Sequence, residues 1–313
     1  MKKIFIDGRE GTTGLRIYER LSAFSGIEMI ILPENLRKDK EARREALNSC
    51  DIAFLCLPDV ASIEAVSMIE NKNVIVIDTS TAHRTNEGWD YGFPELSNLY
   101  REKLITSKRI AVPGCYASGF IALIYPLIES GLINKDSLLT CHAVSGYSGG
   151  GKKLIAEYED SNHPAEFNSL RLYALSQEHK HLKEMKYVTG LTDLPIFCPS
   201  VTNYYNGMVV SVPLFKKQLN NFKTADDIKA IYKKLYNSKL VSYTDNMNNG
   251  GIVFSNALAD YDNMQISVFG NDERIMLTAR YDNLGKGASG AAIECLNLIL
   301  GNELEFALNI KEN

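Results

Sequence analysis

The chain has 313 residues, a formal net charge of −4 and a sequence isoelectric point of about 5.8. This length predicts two domains, and the slightly acidic balance excludes the basic field that favours nucleic acid. We therefore expect the partners to be small molecules or further copies of the chain.

The N-terminal residues and the cysteines predict the compartment. Lys2 and Lys3 lead directly into a strand-like run, without the apolar core and small-residue cleavage site of a secretory signal, and no apolar run is long enough to span a membrane. Six cysteines lie far apart with no CxxC pair, which predicts neither a disulfide framework nor a metal site. We expect a cytoplasmic protein without a metal.

The first 115 residues alternate strand-like and helix-like runs. Predicted strands lie at 2–7, 27–33, 51–58, 74–80 and 109–114, and predicted helices at 15–24, 34–49 and 61–71. Such alternation, with strands apolar on both faces, is typical of a parallel sheet covered by helices on both sides. We predict an α/β domain over 1–115.

The second part of the chain changes character. Its strand-like runs are longer and lie at 138–148, 196–201, 207–215, 265–270 and 274–282. They predict an α+β domain over 116–285 with a mostly antiparallel sheet, which carries the catalytic and substrate-binding groups and the contacts between subunits. The apolar run at 286–301 predicts a helix that packs back on the first domain.

Three glycines occupy the first turn between strand and helix. Gly8, Gly11 and Gly14 have the spacing GxxGxxG, and Thr12 and Thr13 add hydroxyl donors. A tight glycine turn at a helix N-terminus lets a pyrophosphate approach the backbone amides, so we predict a Rossmann-type dinucleotide site. The alternative is a glycine-rich turn without a ligand.

The type of dinucleotide stays open at this point. Glu34 falls where an acidic residue would hold a ribose 2′-hydroxyl, whereas Arg37 and Lys38 would suit a 2′-phosphate. Pro58 ends the third predicted strand and is expected to border the nicotinamide part.

One cysteine has the sequence context of a nucleophile. Cys115 follows a Pro-Gly break and precedes a small-residue run that predicts the start of a helix. Helix-end amides lower the pKa of a thiol and stabilise developing negative charge. The alternative is a buried, inert cysteine.

Further segments carry candidate groups. SGYSGGGKK at 145–153 puts backbone amides near Lys152 and Lys153, which predicts an anion site or, alternatively, a loop with solvated lysines. In EHKHLKEM at 178–185, two histidines would lie on opposite sides of a strand or turn, so at most one would face a site, as a proton partner for the cysteine. Arg84 suits a planar carboxylate or phosphate, and the alternative is a surface arginine without a ligand.

These residues together resemble a known family. GREGTTG, DTSTAHR, YGFPEL, PGCYAS, SGYSGGGKK, EHKHLKE and DNLGKGASGAAIECLNLILG occur in order along nearly the whole chain. They resemble the shorter form of N-acetyl-γ-glutamyl-phosphate reductase, within the acyl-phosphate reductases that include aspartate-semialdehyde dehydrogenase. The resemblance implies NADPH-dependent reduction of N-acetyl-L-glutamyl 5-phosphate to the semialdehyde with phosphate release, in arginine biosynthesis.

The resemblance also implies residue roles. Cys115 corresponds to the nucleophile that forms a thioester, and His179, which we prefer to His181, to the acid/base, with a protonated histidine stabilising the oxyanion. The predicted cofactor contacts are Gly8, Gly11, Thr12, Thr13, Gly14, Pro58, Ser80, Ser118, Asn283 and Gly287. The predicted substrate contacts are Arg84, Ser148, Lys152 and His181, with Lys153 and Arg171 as further candidates. Leu182 and Lys183 depart from the pattern of the longer members, which makes the detailed placement of the histidines an open question.

Two other functions stay open: a related acyl-phosphate reductase, such as one for aspartyl phosphate, and a non-catalytic nucleotide-binding protein. We expect a homo-oligomer, a dimer or tetramer, because the antiparallel sheet offers a face that can pair between subunits.

Overall fold

The computed structural model describes residues 1–221 and 223–312, which form two compact units. Unit 1 comprises Met1–Pro94, Asn98–Gly114 and Ala288–Leu308. Unit 2 comprises Glu95–Ser97, Cys115–Gly287 and the C-terminal residues from Asn309.

Unit 1 is built on a parallel sheet. Its strands are β1 (Lys2–Asp7), β2 (Ile27–Ile30), β3 (Ile52–Leu55), β4 (Ile75–Asp78), β5 (Asp90–Tyr91) and β6 (Arg109–Ala111). They lie in the order β2-β1-β3-β4-β6-β5, and every pairing given for them is parallel. The helices of unit 1 are α1 (Thr12–Leu21), α2 (Lys40–Ser49), α3 (Asp59–Ser67), α4 (Asn98–Thr106) and, last in the chain, α9 (Gly290–Leu300).

Alternation along the strands divides the core of unit 1 between the two faces of the sheet. Ile4 and Ile6 of β1 pack in one cluster with residues of α1 and α9. Phe5, between them, packs in a second cluster with residues of α2 and α3. Successive strand residues point to opposite faces, so both faces are covered by helices and the predicted doubly covered parallel sheet is confirmed.

Within the described residues, unit 2 contains a mixed sheet and four α-helices. The strands are β7 (Thr140–Ser145), β8 (Arg171–Leu172), β9 (Ile196–Val201), β10 (Met208–Phe215), β11 (Val241–Tyr243), β12 (Met264–Gly270) and β13 (Arg274–Tyr281), in the order β11-β12-β13-β10-β7-β9-β8. The helices are α5 (Cys115–Glu129), α6 (Gly151–Glu159), α7 (His181–Thr189) and α8 (Ala225–Leu235). Within the described residues four of the six pairings are antiparallel, which confirms the mostly antiparallel sheet.

The sheet of unit 2 has one covered and one open face. Val210, Val212 and Leu214 of β10 are buried on the side of α5, whereas Phe215 is 65% exposed. Met276 in β13 is exposed as well. This alternation leaves apolar side chains on the outer face of an otherwise well-packed sheet.

Several predicted boundaries are wrong for local reasons. The helix predicted over 34–49 begins only at Lys40, because Asp39 caps it by accepting a hydrogen bond from the Ala42 amide at 2.8 Å. The strand predicted over 27–33 ends at Ile30. The helix predicted from 286 starts with a π-helical turn at Gly285–Ser289 before α9.

Candidate active site and dinucleotide loop

The glycine loop of unit 1 has close contacts that only glycine allows. Gly8 has a φ of +85°, and a Cβ there would lie 2.3 Å from the carbonyl oxygen of Cys56. A Cβ on Gly14 would lie 2.4 Å from the carbonyl oxygen of Gly8, so this glycine allows helix and turn to pack closely. Gly11 is the N-cap of α1, and its amide donates to the Gly8 carbonyl at 3.0 Å. A turn shaped by these three glycines fits a pyrophosphate at the start of α1, where Thr12 and Thr13 lie.

Two further predicted cofactor residues lie at the same edge of this sheet. Pro58 follows β3 and caps α3, and Ser80 follows β4. The Ser80 hydroxyl donates to the Asp78 carboxylate at 2.7 Å, and Nδ1 of His83 lies 2.6 Å from the same carboxylate. The carboxyl ends of parallel strands are where nucleotides bind in such sheets, so both residues remain cofactor predictions.

Arg84 has a different environment from the one predicted. Its buried guanidinium donates from Nε to the Val112 carbonyl at 2.8 Å and from Nη2 to the Thr79 carbonyl at 3.0 Å. These bonds give the side chain a structural role between two loops of unit 1. Its predicted contact with substrate therefore has less support than the sequence suggested.

Cys115 is the first residue of α5, as the sequence predicts, and is half-buried. It lines a cavity of about 390 Å³ within unit 2, together with Tyr116 and Ser145. Gly287 lies directly against it, because a Cβ at that position would be 3.0 Å from the Cys115 Cβ. A thiol at the start of a 15-residue helix, open to a cavity, is positioned for nucleophilic attack.

The first turn of α5 is held by a buried tyrosine from β13. The Tyr281 hydroxyl donates to the Cys115 carbonyl at 2.5 Å and accepts from the Gly119 amide at 2.9 Å. A Cβ on Gly119 would lie 2.6 Å from that hydroxyl, so only glycine allows this approach. Burial raises the pKa of Tyr281 well above its usual range, so the phenol stays protonated and donates. Sequence reasoning missed this residue because nothing local marks a strand tyrosine as a partner of a distant helix.

The two histidines do not lie on opposite sides, and that expectation is wrong. They occupy the turn that enters α7, where the His181 amide donates to Nδ1 of His179 at 3.1 Å and the ring centroids are 4.7 Å apart. Both rings also lie 6.0 Å from the ring of Tyr116, the residue after Cys115. The turn therefore brings both imidazoles beside the start of α5.

The protonation of His179 follows from this geometry. Burial, with a smaller contribution from Lys180, lowers its pKa to about 4. The ring is neutral at pH 7, and because Nδ1 accepts from the His181 amide, Nε2 carries the proton. The lowered pKa favours a neutral ring in the protein without ligands, and the protonated histidine expected during the reaction stays a prediction.

The glycine-rich segment at 145–153 is more ordered than predicted. It forms a 3₁₀ turn at Tyr147–Gly150 followed by α6. The amides of residues 146–148 donate to carbonyls of residues 204–207, so they form no anion-binding nest. Lys152 and Lys153 are exposed on α6, and their predicted contact with phosphate stays a prediction.

Ser148 and Asn283 form one buried network. The Ser148 hydroxyl donates to the Asn206 side-chain oxygen at 2.7 Å and accepts from the Asn283 amide at 2.8 Å, and Asn283 also accepts from the Gly207 amide at 2.9 Å. These bonds occupy the groups that were predicted to contact substrate and cofactor. Ser118 is buried in α5. The roles predicted for Ser148, Asn283 and Ser118 stay predictions.

Two further sequence-based expectations concern metal sites and membrane-spanning helices. No group of three or more histidine, cysteine or acidic side chains suited to a metal occurs in residues 1–221 and 223–312. In the same residues no helix combines the length and apolarity needed to cross a bilayer.

Comparisons with known proteins define the class. The family model described as semialdehyde dehydrogenase, NAD binding domain, matches residues 13–105, and the one described as semialdehyde dehydrogenase, dimerisation domain, matches residues 115–283. The fold agrees with solved structures of aspartate semialdehyde dehydrogenases: that from Francisella tularensis has a TM-score of 0.73 at 14% identity, covering 96% of this chain and 100% of that chain. A second, from Vibrio cholerae, has a TM-score of 0.72 at 14% identity, covering 96% and 98%. The protein is an oxidoreductase of the semialdehyde dehydrogenase class with a nicotinamide-dinucleotide-binding domain.

Curated relatives narrow the family. N-acetyl-gamma-glutamyl-phosphate reductase of Trichormus variabilis is 42% identical over 98% of this chain and 99% of its own length. The protein of the same name from Brucella ovis is 44% identical over 96% and 99%. The chain belongs to the N-acetyl-γ-glutamyl-phosphate reductase family, which confirms the resemblance seen in the sequence.

Proposed function

We propose that the protein reduces N-acetyl-L-glutamyl 5-phosphate to N-acetyl-L-glutamate 5-semialdehyde, with NADPH as reductant and release of phosphate, in arginine biosynthesis. The observation that carries this proposal is the position of Cys115 at the start of α5, open to a cavity, with both histidine rings 6.0 Å from the ring of the next residue, Tyr116. The names of the relatives support the choice of substrate.

Cys115 provides covalent capture. Its thiolate attacks the carbonyl carbon of the acyl phosphate, the sulfur–carbon bond forms, and the carbon–oxygen bond to phosphate breaks. Phosphate leaves with the electron pair of that bond and takes up a proton from solvent, and the acyl group is held as a thioester. The amides at the start of α5 favour both the thiolate and the negative charge on the carbonyl oxygen.

A dinucleotide held by the glycine loop would supply the hydride that reduces the acyl group. As the carbonyl oxygen gains charge, His179 is proposed to stabilise it through its Nε2 proton, which the neutral ring offers at pH 7. The carbon–sulfur bond then breaks, which releases aldehyde and regenerates the thiolate. These bond changes balance without net proton transfer at sulfur, so a neutral histidine suffices.

The cofactor is proposed to bind at the glycine loop. Gly8, Gly11 and Gly14 would hold the pyrophosphate at the start of α1, with Thr12 and Thr13 beside it. The choice of NADP over NAD rests on the family; Glu34 and Arg37 form an exposed ion pair at 3.4 Å in this structure, which favours neither dinucleotide.

The outer sheet face of unit 2 supports self-association. Phe215, Met276 and Ile196 are exposed there, and the family model that matches this unit is described as a dimerisation domain. We propose a homodimer, or a tetramer built from it, that buries this face. Light scattering during size-exclusion chromatography tests it, with Phe215→Glu expected to shift the mass toward the monomer.

The cysteines support a reducing compartment. In the described chain the six cysteines are free thiols, which is the usual state in the cytoplasm. We propose that the enzyme acts there.

The test is phosphate-dependent reduction of NADP, and separately of NAD, by purified protein with N-acetylglutamate semialdehyde. Cys115→Ala is expected to abolish the reaction, whereas Cys198→Ala, a half-buried thiol in β9, serves as the matched control and keeps it. Higher activity with aspartate semialdehyde would identify the related reductase instead. Dinucleotide binding without activity in any aldehyde assay would identify a non-catalytic protein.

A further inference from the structure

A buried ion pair lies one residue from the contact between Gly287 and Cys115. The ammonium group of Lys286 donates to Oε1 of Glu95 at 2.6 Å, and the two side chains are only 2% and 7% exposed. Oε2 of Glu95 is also buried, and among the described residues it has no hydrogen-bond partner. Such a pair adds little stability, because the cost of taking both charges out of water offsets their attraction. Stability alone therefore does not explain why these two charges are buried here.

The two members of the pair are far apart in the chain and lie in the same unit. Among the described residues before Cys115, only residues 95–97 belong to unit 2. Glu95 lies in a short 3₁₀ turn, and Lys286 lies in the π-helical turn at Gly285–Ser289. Turns with π-helical geometry are rare and occur frequently at functional sites. The ion pair thus anchors an unusual turn to a distant segment of the chain.

A buried carboxylate fixes the start of the same turn. The side chain of Asp282 accepts from the amides of Leu284, at 2.7 Å, and Gly285, at 2.8 Å. The carbonyl of Asp282 accepts from the Gly287 amide at 3.0 Å. These bonds set the path of the backbone on either side of Lys286, and the ion pair adds a side-chain anchor between them.

Gly287 connects this anchored turn to the cysteine. A Cβ at position 287 would lie 3.0 Å from the Cβ and 3.4 Å from the Cα of Cys115, so the main chain of the turn packs directly on the cysteine. Close packing of this kind limits the rotamers that a side chain can adopt. The effect of a helix end on a charge falls off within the first turn, so the direction of the thiol decides how strongly the amides of α5 favour the thiolate.

We propose that Glu95 and Lys286 are positioning residues: their ion pair holds the π turn so that Gly287 stays against Cys115 and the thiol stays directed at the cavity. The consequence for turnover rests on the proposed function, whereas the effect on the thiol does not require it. An apolar pair of similar volume fills the same space without a directional bond. Such a pair is expected to keep the fold and to lose the positioning.

The test compares the charged pair with an apolar one. Glu95→Leu and Lys286→Met in one chain remove both charges, and we expect a urea midpoint equal to or above that of the wild type. Lys286→Met alone leaves the carboxylate buried without its partner and is expected to lower that midpoint. Arg43→Met, at the buried pair with Asp7 in unit 1, is the matched control for the loss of an ion pair.

The reactivity of Cys115 is a readout that does not depend on turnover. The rate of its alkylation by iodoacetamide, followed by mass spectrometry of the Cys115 peptide in the absence of dinucleotide, is measured against pH. The double variant is expected to raise the pH of half-maximal rate by at least about 0.5 pH unit, because the thiol moves away from the helix-end amides. Gly287→Ala, which forces the same contact apart, should shift this pH in the same direction, and Arg43→Met should leave it unchanged.

Kinetics with N-acetylglutamate semialdehyde, phosphate and NADP measure the consequence for catalysis. The double variant should lower kcat about tenfold and change KM less than about twofold, because a small displacement of a reacting group slows the chemical step while the substrate contacts remain. A kcat within about twofold of the wild type in a folded double variant overturns the role in catalysis.

The alkylation profile separates this inference from the proposed function. A wild-type profile for Cys115 in the folded double variant overturns the inference whatever the activity, and so does an equal shift in Arg43→Met. If the double variant does not fold, Lys286→Met and Gly287→Ala carry the same comparison, and wild-type profiles in both overturn the inference. A shifted profile in a protein whose wild type has no reductase activity supports the positioning role and rejects the proposed function.

Discussion

The contact of Tyr281 with the start of α5 makes a specific prediction about catalysis. Its hydroxyl bridges the Cys115 carbonyl, at 2.5 Å, and the Gly119 amide, at 2.9 Å. Tyr281→Phe removes both hydrogen bonds without removing the ring. Because the two main-chain groups lie one helical turn apart, they can pair with each other if the turn closes, and that closure moves the cysteine.

Two magnitudes follow from the geometry. Each lost hydrogen bond is worth about 1 kcal/mol, and partial re-pairing of the freed groups leaves a loss of about 1–2 kcal/mol in the free energy of unfolding. A displacement of about 1 Å at a reacting group costs roughly 100-fold in rate, so a shift of a fraction of that distance is expected to lower kcat about tenfold. KM should change little, because the substrate contacts remain.

The same helix offers a matched control. The Tyr236 hydroxyl, also fully buried, donates to the Ala122 carbonyl at 2.6 Å, seven residues further along α5 than Cys115. Tyr236→Phe should destabilise the protein by a similar amount in urea unfolding and leave kcat unchanged. The reasoning is refuted if Tyr281→Phe keeps kcat within twofold of the wild type, or if both variants lose kcat equally.

Three further predictions concern stability and nucleotide binding. Burial lowers the folded-state pKa of His179 to about 4, so between about pH 6.5 and 4 only the unfolded chain takes up this proton. The free energy of unfolding should therefore fall as the pH falls through that window, by roughly 1–2 kcal/mol for a half-buried group. His179→Asn should remove that part of the pH dependence in urea titrations. Gly8→Ala places a Cβ 2.3 Å from the Cys56 carbonyl oxygen and should weaken nucleotide binding at least about tenfold, as measured by titration calorimetry. Arg43→Met removes the buried partner of Asp7, bonded at 2.9 Å, and should cost about 3 kcal/mol in urea unfolding, part of which Asp7→Asn in the same chain restores.

Each of these three predictions would be contradicted by a specific result. An unchanged pH dependence in His179→Asn would mean that the imidazole has the same pKa in the folded protein as in the unfolded chain. Wild-type nucleotide affinity in Gly8→Ala would mean that the loop rearranges freely. A double variant less stable than Arg43→Met alone would mean that Asp7 is stabilised by groups other than this arginine.

Motifs formed by residues close together in the chain could be predicted from the sequence. The glycine turn after β1 and the helix start at Cys115 each lie within about ten residues of chain, and steric and helix-end effects act over that distance. The alternating pattern of the first 115 residues likewise predicted the parallel sheet. Short elements such as β5 and β8 escaped prediction, because two-residue strands have no periodicity to detect.

The pattern of apolar and polar residues was not enough to predict helix boundaries and side-chain partners. The start of α2 depends on one capping carboxylate, Asp39, within a long charged segment that reads as helical throughout. The two histidines came together because the chain turns into α7 between them, which reverses the expectation of opposite faces. Arg84 matched a ligand-binding pattern in the sequence, which gave no sign of its buried bonds to two main-chain carbonyls, and its contact with substrate stays a prediction.

The sequence by itself determined the chemical repertoire of this protein: a dinucleotide turn, a cysteine at a helix start and a family signature along nearly the whole chain. Those features follow from short-range sterics and from residue chemistry, which need no knowledge of distant contacts. The tertiary structure alone decided the surroundings of these groups, because burial lowers the pKa of His179, β13 brings Tyr281 to the first turn of α5, and an aromatic cluster holds Arg171 at the cavity wall. Such effects depend on desolvation and on contacts between residues far apart in the chain, and both arise only when the chain has folded.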